Sequence, residues 1–399
     1  MASEYDRVLA ACRRVLDYAE TRDYAGYSKY DSLNSPFIRA ISLGIPLLRF
    51  VTQQVVMRSP VNLRPLLGVK KSKNPKGVAL FALAYLNLYA ALGEVEAASQ
   101  ARRCLEWLLS HRSQGTGYCW GYNFGWQSLH FYAPPYSPNL VVTGNAGMAF
   151  VLAYELLAEQ RYLDVARETV EFITQDLNLL YDQDDMHAYS YIPGSRWIVP
   201  NVNGLAAALM SKIYRHTREE ALRKEAERII RFVIAQQTAD GAWYYGYPPE
   251  SSPVKHDNYH SGHLVDWLLD YMRCTGDERF ADHFARGLQF YTANLFLPDG
   301  APKLMSDKIY PFDIHGAAQG IITCAKAARE YDPVWLNRAE QVARWTIDNM
   351  QSPKDGHFYY QKGRFWTKKF SLMRWNQAWM AYALASLLRA ERKLVMEKV

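Results

Sequence analysis

The sequence predicts an all-α fold, an (α/α)6 toroid with an N-terminal helical extension, and three observations carry that prediction. Small apolar helices rich in Ala, Leu and Gly begin near Gly77, Gly144, Asn203, His260, His315 and Asn376, a period of roughly 60 residues. Between them lie charged helices with a single apolar stripe, near 96–112, 160–177, 218–237, 278–294 and 334–351. The connections into the apolar helices are long and aromatic, whereas those out of them are short, as in Thr275-Gly276-Asp277. A helix apolar all round must be buried, and one with a charged face borders water. The alternation therefore wraps an inner ring of helices in an outer one. Every long loop feeds an inner N-terminus, so the loops gather at one end of the barrel, and the cleft is predicted there.

Ahead of the repeats, residues 5–22 read as an amphipathic helix with Val8, Leu9, Cys12, Val15 and Leu16 on one side. A loop rich in Tyr and Ser follows over 24–34. Residues 36–57 are more apolar and end at Arg58-Ser59-Pro60. They are expected to pack on the body of the domain, with docking on a membrane or an assembly complex as the alternative. The division is thus 1–74, a helical extension packed on the toroid, and 75–399, the toroid as catalytic domain. Met1 to Arg7 carries acids and no apolar h-region, so no signal peptide is read there. Val78–Leu92 contains Asn87 and is short for a membrane span. A cytoplasmic location is expected.

A chain of 399 residues exceeds one ordinary core unless a repeat spreads that core along it. Aromatic residues make up 14%, with 28 Tyr and 11 Trp, enough for ligand-stacking walls or for aromatic packing between helices. The net charge of +6 is spread thinly. Its knots, Lys70, Lys71, Lys73 and Lys76, then Lys362, Arg364, Lys368 and Lys369, read as solvated surface with a lean toward acidic sugars or phosphates. Nothing matches a nucleic-acid motif. The cysteines, Cys12, Cys104, Cys119, Cys274 and Cys324, form no CxxC or Cys/His cluster, so no disulfide framework, metal site or cofactor is expected. The sequence sets no oligomeric state.

The chemistry concentrates in His256-Asp257-Asn258-Tyr259-His260-Ser261-Gly262-His263, where a loop becomes an inner helix. Asp257 or Asn258 can cap that helix. His260, His263 and His315 can act as acids or bases near neutral pH. His263, one turn in, is equally suited to hydrogen-bond a neighbouring helix. Asp257 and Asp313 hold matching places before a histidine on successive inner helices. Paired carboxylates can hydrolyse a glycosidic bond, and capping is their other use. Asn139, Asn201, Asn203, Arg374 and Asn376 at other helix mouths suit hydroxyls and a carboxylate. Trp120, Tyr122, Trp126, Tyr245 and Trp375 are candidates for stacking on sugar faces, Trp120 and Trp126 above all because they lie among loop glycines.

Three resemblances extend this reading. Residues 75–392 resemble the six-hairpin toroids of carbohydrate-active enzymes. Asn62-Leu63-Arg64-Pro65-Leu66-Leu67-Gly68, Asn74-Pro75-Lys76-Gly77 and Cys119-Trp120-Gly121-Tyr122 resemble toroids of bacterial surface-polysaccharide biosynthesis. His260-Ser261-Gly262-His263-Leu264-Val265-Asp266-Trp267 is similar to the fourth inner helix of the N-acylglucosamine 2-epimerase family. That family pairs one such histidine with another on the sixth inner helix. Here that helix begins Arg374-Trp375-Asn376-Gln377, and His315 is the nearest substitute. Gln237 to Trp243 resembles the Gln–Trp repeat of squalene-cyclase-like toroids, and Asp182-Gln183-Asp184-Asp185 spells their acidic motif.

The resemblances imply an enzyme acting on a carbohydrate of exopolysaccharide, capsule or O-antigen metabolism by acid–base chemistry, epimerase- or isomerase-like. A glycoside hydrolase or polysaccharide lyase using Asp257 and Asp313 is the first alternative. A terpene cyclase with Asp184 or Asp185 above an apolar chamber is another, and a non-catalytic glycan-binding scaffold a further one.

Overall fold

A computed structural model describes residues 3–396. Met1 and Ala2, the first residues of the stretch read against a signal peptide, and 397–399, at the end of the toroid segment, lie outside the described residues. Helix α1 (Glu4–Glu20) opens with a capping box: the Ser3 hydroxyl accepts from the Asp6 N–H and the Asp6 carboxylate accepts from the Ser3 N–H. Helices α2 (Pro36–Ser42) and α3 (Pro46–Arg58) form a hairpin. The repeats follow as helix pairs: α4 (Pro75–Leu92) with α5 (Val95–Ser110), α6 (Leu140–Leu157) with α7 (Gln160–Glu171), and α8 (Pro200–Thr217) with α9 (Glu220–Ala235). Then come α10 (Asn258–Thr275) with α11 (Ala281–Asn294) and α12 (Ile314–Glu330) with α13 (Leu336–Met350). A π-helical turn, Met373–Ala378, leads into α14 (Trp379–Met396).

The even-numbered helices from α4 to α14 each pack on the next, and α14 packs on α4, closing the inner ring. The sixth place in the outer layer belongs to α1, at the far end of the sequence from its partners α13 and α14. Gln351 Nε2 donates to the Ala11 carbonyl (3.0 Å), the Arg14 guanidinium to the Ser352 carbonyl (2.9 Å), and Arg7 pairs with Asp348. Helices α4 and α6 are long and apolar enough to cross a membrane by length and composition, yet most of each is buried inside the ring.

The long connections carry short antiparallel strands. β1 (Trp126–Gln127) pairs with β2 (Tyr132–Ala133), and β3 (Leu179–Gln183) with β4 (Met186–Tyr189). β5 (Lys303–Met305), β6 (Lys308–Asp313), β7 (Gln361–Lys362) and β8 (Thr367–Lys368) make one sheet in chain order. All lie at the end where inner helices begin. The opposite end is plugged by ion pairs: Lys212 with Asp270 (2.8 Å), Lys326 with Asp266 and Asp270 (2.8 and 2.7 Å), and Arg215 with Glu155. Buried charges of this kind persist because each has a partner.

Inner helices approach closely through glycine. A Cβ on Gly262 would stand 2.6 Å from Gln319 Cγ on α12 and from Tyr291 Cζ on α11. Gly262→Ala is therefore expected to destabilise the protein by about 1–2 kcal/mol, overpacking outweighing the better helix propensity of Ala. Urea unfolding measures this, and an unchanged or raised midpoint refutes the close approach.

Candidate active site

A cleft of about 480 Å³ lies where the inner helices begin. The second residue of every inner helix lines it: Lys76, Val141, Asn201, Tyr259 and His315, with Arg374 second in the π turn before α14. In that turn the wider helical winding, a frequent feature of functional sites, brings both Arg374 and Trp375 to the cleft. Loops add Lys29, Tyr30, Tyr122, Trp126, Tyr191 and Tyr245, and α3 forms a lip with Phe50, Met57 and Arg58.

Asp257 caps α10 and orients its histidine in one gesture. Its Oδ1 accepts from the His260 N–H (2.9 Å), and its Oδ2 accepts from His260 Nδ1 (2.6 Å). Nε2 is thereby left as the free nitrogen of a half-buried ring that lines the cleft. The His260 ring lies between Tyr245 (4.3 Å) and Tyr259 (4.2 Å), centroid to centroid. Tyr259 stacks on His315 at 4.4 Å and 5°. His315 in turn meets Trp379 and the edge-on Trp375, both at 4.5 Å. Deeper still, His263 stacks on Trp267 at 4.7 Å and makes no side-chain hydrogen bond among the described residues.

Neither ring nitrogen of His315 has a hydrogen-bond partner among the described residues. Burial holds its pKa well below the ordinary histidine range, and the charges of His263 and Lys76 add to this. His263 is lowered in the same way, by burial first and then by Lys76 and His260. Lys76 is itself pushed well down, by burial and by the Arg374 guanidinium. Its ammonium faces the Trp379 ring at 5.1 Å, and it has no carboxylate partner among the described residues. Lys29 differs: burial would lower it, but Tyr30, Tyr360 and Asp313 outweigh that and raise it. Its Nζ stands 3.7 Å over the Trp375 ring. Asp257 is the only carboxylate among the described residues lining the cleft, against Lys29, Arg58, Lys76 and Arg374.

Of the residues singled out from sequence, Asp257, His260, His263, His315, Tyr122, Trp126, Asn201, Tyr245, Arg374 and Trp375 meet in this one cleft. The others are placed elsewhere. Asp313 is fully buried and saturated: it accepts from the His315 N–H, from Trp375 Nε1 (3.1 Å) and from Gln361 Nε2 (2.8 Å). The expected Asp257/Asp313 pair is therefore absent, because Asp313 is consumed as a cap and a strut. Trp120 is wholly buried, donating from Nε1 to the Leu108 carbonyl (2.9 Å) and stacking near Phe150. Gly121 permits this, since a Cβ there would fall 2.0 Å from the Ser137 carbonyl oxygen. Asn139 caps α6. Asn203 pins the end of β4, accepting from the Tyr189 N–H (2.7 Å), and Asn376 donates to the Phe358 carbonyl (3.0 Å).

Asp184 and Asp185 form the β3–β4 turn with positive φ, and Asp185 pairs with Arg228 at the surface. No acid of that string lines the cleft, which removes the basis of the cyclase reading. Lys76, read from sequence as solvated surface, turns inward, and Lys29, Tyr30 and Tyr259 also line the cleft unforeseen. The second-residue rule would have found Lys76 and Tyr259.

No protein-family model matches the chain, and curated proteins give no match. Among solved structures it is similar to cellobiose 2-epimerase from Bacillus thermoamylovorans, at 12% identity over 82% of this chain and 90% of that one, TM-score 0.61. It is similar to the GH76 α-mannanase of Bacteroides thetaiotaomicron, at 15% over 81% and 87%, TM-score 0.62. An unsaturated glucuronyl hydrolase specific for heparin matches at 11% over 99% and 98%, TM-score 0.62. These likenesses establish the fold. The protein is an (α/α)6 toroid of the six-hairpin kind, and its own residues define a cationic, aromatic, histidine-bearing cleft.

The low pKa values of His263 and His315 have a consequence for stability. The unfolded chain takes up protons below about pH 6.5 that the folded protein refuses, so stability is complete above that pH and falls below it. The expected loss is about 1.4 kcal/mol per pH unit for each histidine. Urea unfolding between about pH 7.5 and 5.5 should show this slope, reduced by one histidine's share in His315→Gln. An identical slope in the variant refutes a neutral, buried His315.

Proposed function

We propose that the protein is a carbohydrate-active enzyme that moves a proton on a sugar, epimerase- or isomerase-like. The observation that carries this reading is the histidine-rich floor of the cleft, with His260 held by Asp257 and a single lining carboxylate. Cleavage by two carboxylates needs a second acid in reach, and Asp313 is sealed away. An Asp–His pair with a free Nε2 suits abstraction of a proton beside a carbonyl or carboxylate. All three histidines come from α10 and α12, neighbours in the ring. Lys76 comes from α4, across the ring from α10, and burial loosens its hold on a proton. As an ammonium it is the candidate to return the proton on the other face.

Lys29 and Arg374 suit an anionic group on the substrate, a carboxylate or a phosphate, while Trp126, Tyr122 and Tyr245 suit the apolar faces of a sugar ring. The sugar-acting names of the structural neighbours support the substrate class. The same cationic lining favours a second reading, elimination at a uronate, which also begins with removal of a proton beside a carboxylate. We place the activity in bacterial surface-polysaccharide metabolism on the lead-in resemblance alone. We place it in the cytoplasm on the five free, buried cysteines, which suit a reducing compartment.

The test is solvent exchange. Incubated in deuterated water with neutral sugars, uronates and sugar phosphates, the protein is expected to introduce deuterium at the carbon beside the carbonyl or carboxylate. His260→Ala should lower the rate by about 10²–10⁴-fold, and Asp257→Asn by about tenfold or more. Release of reducing ends without exchange would assign hydrolysis instead. An ultraviolet-absorbing unsaturated product would assign elimination.

A further inference from the structure

The surface around the cleft mouth is apolar where a soluble domain is usually polar. On α2 and α3, Phe37, Ile41, Leu43, Leu47, Val51 and Val55 point outward, with Leu43 75% and Leu47 67% exposed. Ile38 and Val56 are the buried apolar anchors of this hairpin among the described residues, packed with Leu33 in a small separate core, and buried Gln53 ties α3 to the Gln127 backbone. A second protrusion stands beside it. Arg58, at the end of α3, shares a surface groove with Tyr310, Phe365 and Trp366, and Phe365, in the β7–β8 turn, is 87% exposed.

The charge pattern selects what covers this face. Between Asp31 and Glu94 the chain contains no Asp or Glu, while Arg39, Arg58, Lys70 and Lys71 are all exposed there. Arg364 and Lys369 flank the Phe365-Trp366 tip. We infer that the α2–α3 hairpin and the β7–β8 turn together dock on an anionic phospholipid surface, their apolar side chains entering the interface and their arginines and lysines meeting lipid phosphates. A second copy of this chain is a poor occupant, since self-pairing would set basic residues against basic residues. Tryptophan at an exposed tip is a common anchor at headgroup depth. Because α3 also forms a lip of the cleft, docking turns the cleft mouth toward the headgroups.

Vesicle flotation of the full chain tests this without any assumption about the reaction. The protein is expected to float with phosphatidylcholine vesicles containing ~30 mol % phosphatidylglycerol and to stay behind with pure phosphatidylcholine. Added salt should weaken binding. Leu43→Asp/Leu47→Asp and, separately, Phe365→Asp should lower it at least about tenfold, and Arg39→Gln about fivefold. All four positions are exposed, and circular dichroism confirms that each variant is folded. Absence of flotation by the wild type, or equal flotation of wild type and Leu43→Asp/Leu47→Asp, overturns the inference. Self-association that the double variant abolishes, seen by light scattering without flotation, assigns the face to a second copy and overturns it too.

Discussion

A row of contacting rings runs under the cleft, one pair stacked and the others tilted, and the geometry of the site depends on it. Trp379, His315, Tyr259, His260 and Tyr245 follow one another at centroid spacings of 4.2 to 4.5 Å, drawn from three inner helices and one loop. A closed ring of helices must fill its own axis, and planar side chains do so without leaving voids. Imidazole is the one planar side chain that also offers a nitrogen able to gain or lose a proton near neutral pH. Burial favours the neutral form of the His315 ring, so it packs as an aromatic group.

The two aspartates at the helix mouths show how one local device yields two outcomes. Asp257 and Asp313 both cap an inner helix and both precede a histidine. Asp257 holds the His260 ring itself and so fixes which nitrogen is free. Asp313 reaches only the His315 backbone and spends its remaining capacity on Gln361 and Trp375. The difference is one residue of spacing. An i to i+3 separation brings the His260 ring back over its cap, whereas i to i+2 leaves the His315 ring pointing toward the axis. One histidine is tethered and oriented, the other packed and unpaired.

The toroid was legible because burial on all sides demands apolarity on all sides, a signal carried by the inner helices from α4 to α14. The role of α1 was not. Its partners α13 and α14 lie more than three hundred residues away, and a period that begins at Gly77 cannot see an outer helix contributed by the start of the chain. Within the site, the histidine-rich turn was legible since its residues are adjacent in sequence. Trp120 misled for a physical reason: glycines that free a loop to reach a ligand equally free it to fold its ring into the core. Lys76 misled for the opposite reason. A lysine close behind Lys70, Lys71 and Lys73 reads as solvated, but Pro75 starts a buried helix, and the residue after it has nowhere to go except the mouth.

Charge is arranged along the barrel axis as the helix termini require. Six inner helices begin at the cleft and end at the plug, so the cleft receives the positive ends of their dipoles and the plug the negative ends. At the plug, Lys212, Arg215 and Lys326 answer that field and are in turn neutralised by Glu155, Asp266 and Asp270. At the mouth the same logic would call for acids, yet the lining supplies Lys29, Lys76 and Arg374, with one carboxylate already committed to His260. Cations added to the positive ends of helices cost stability in the empty protein, and burial and Arg374 lower the Lys76 pKa accordingly. A negatively charged substrate removes the imbalance directly. Bound beside Lys76, such an anion would also favour that lysine's charged form.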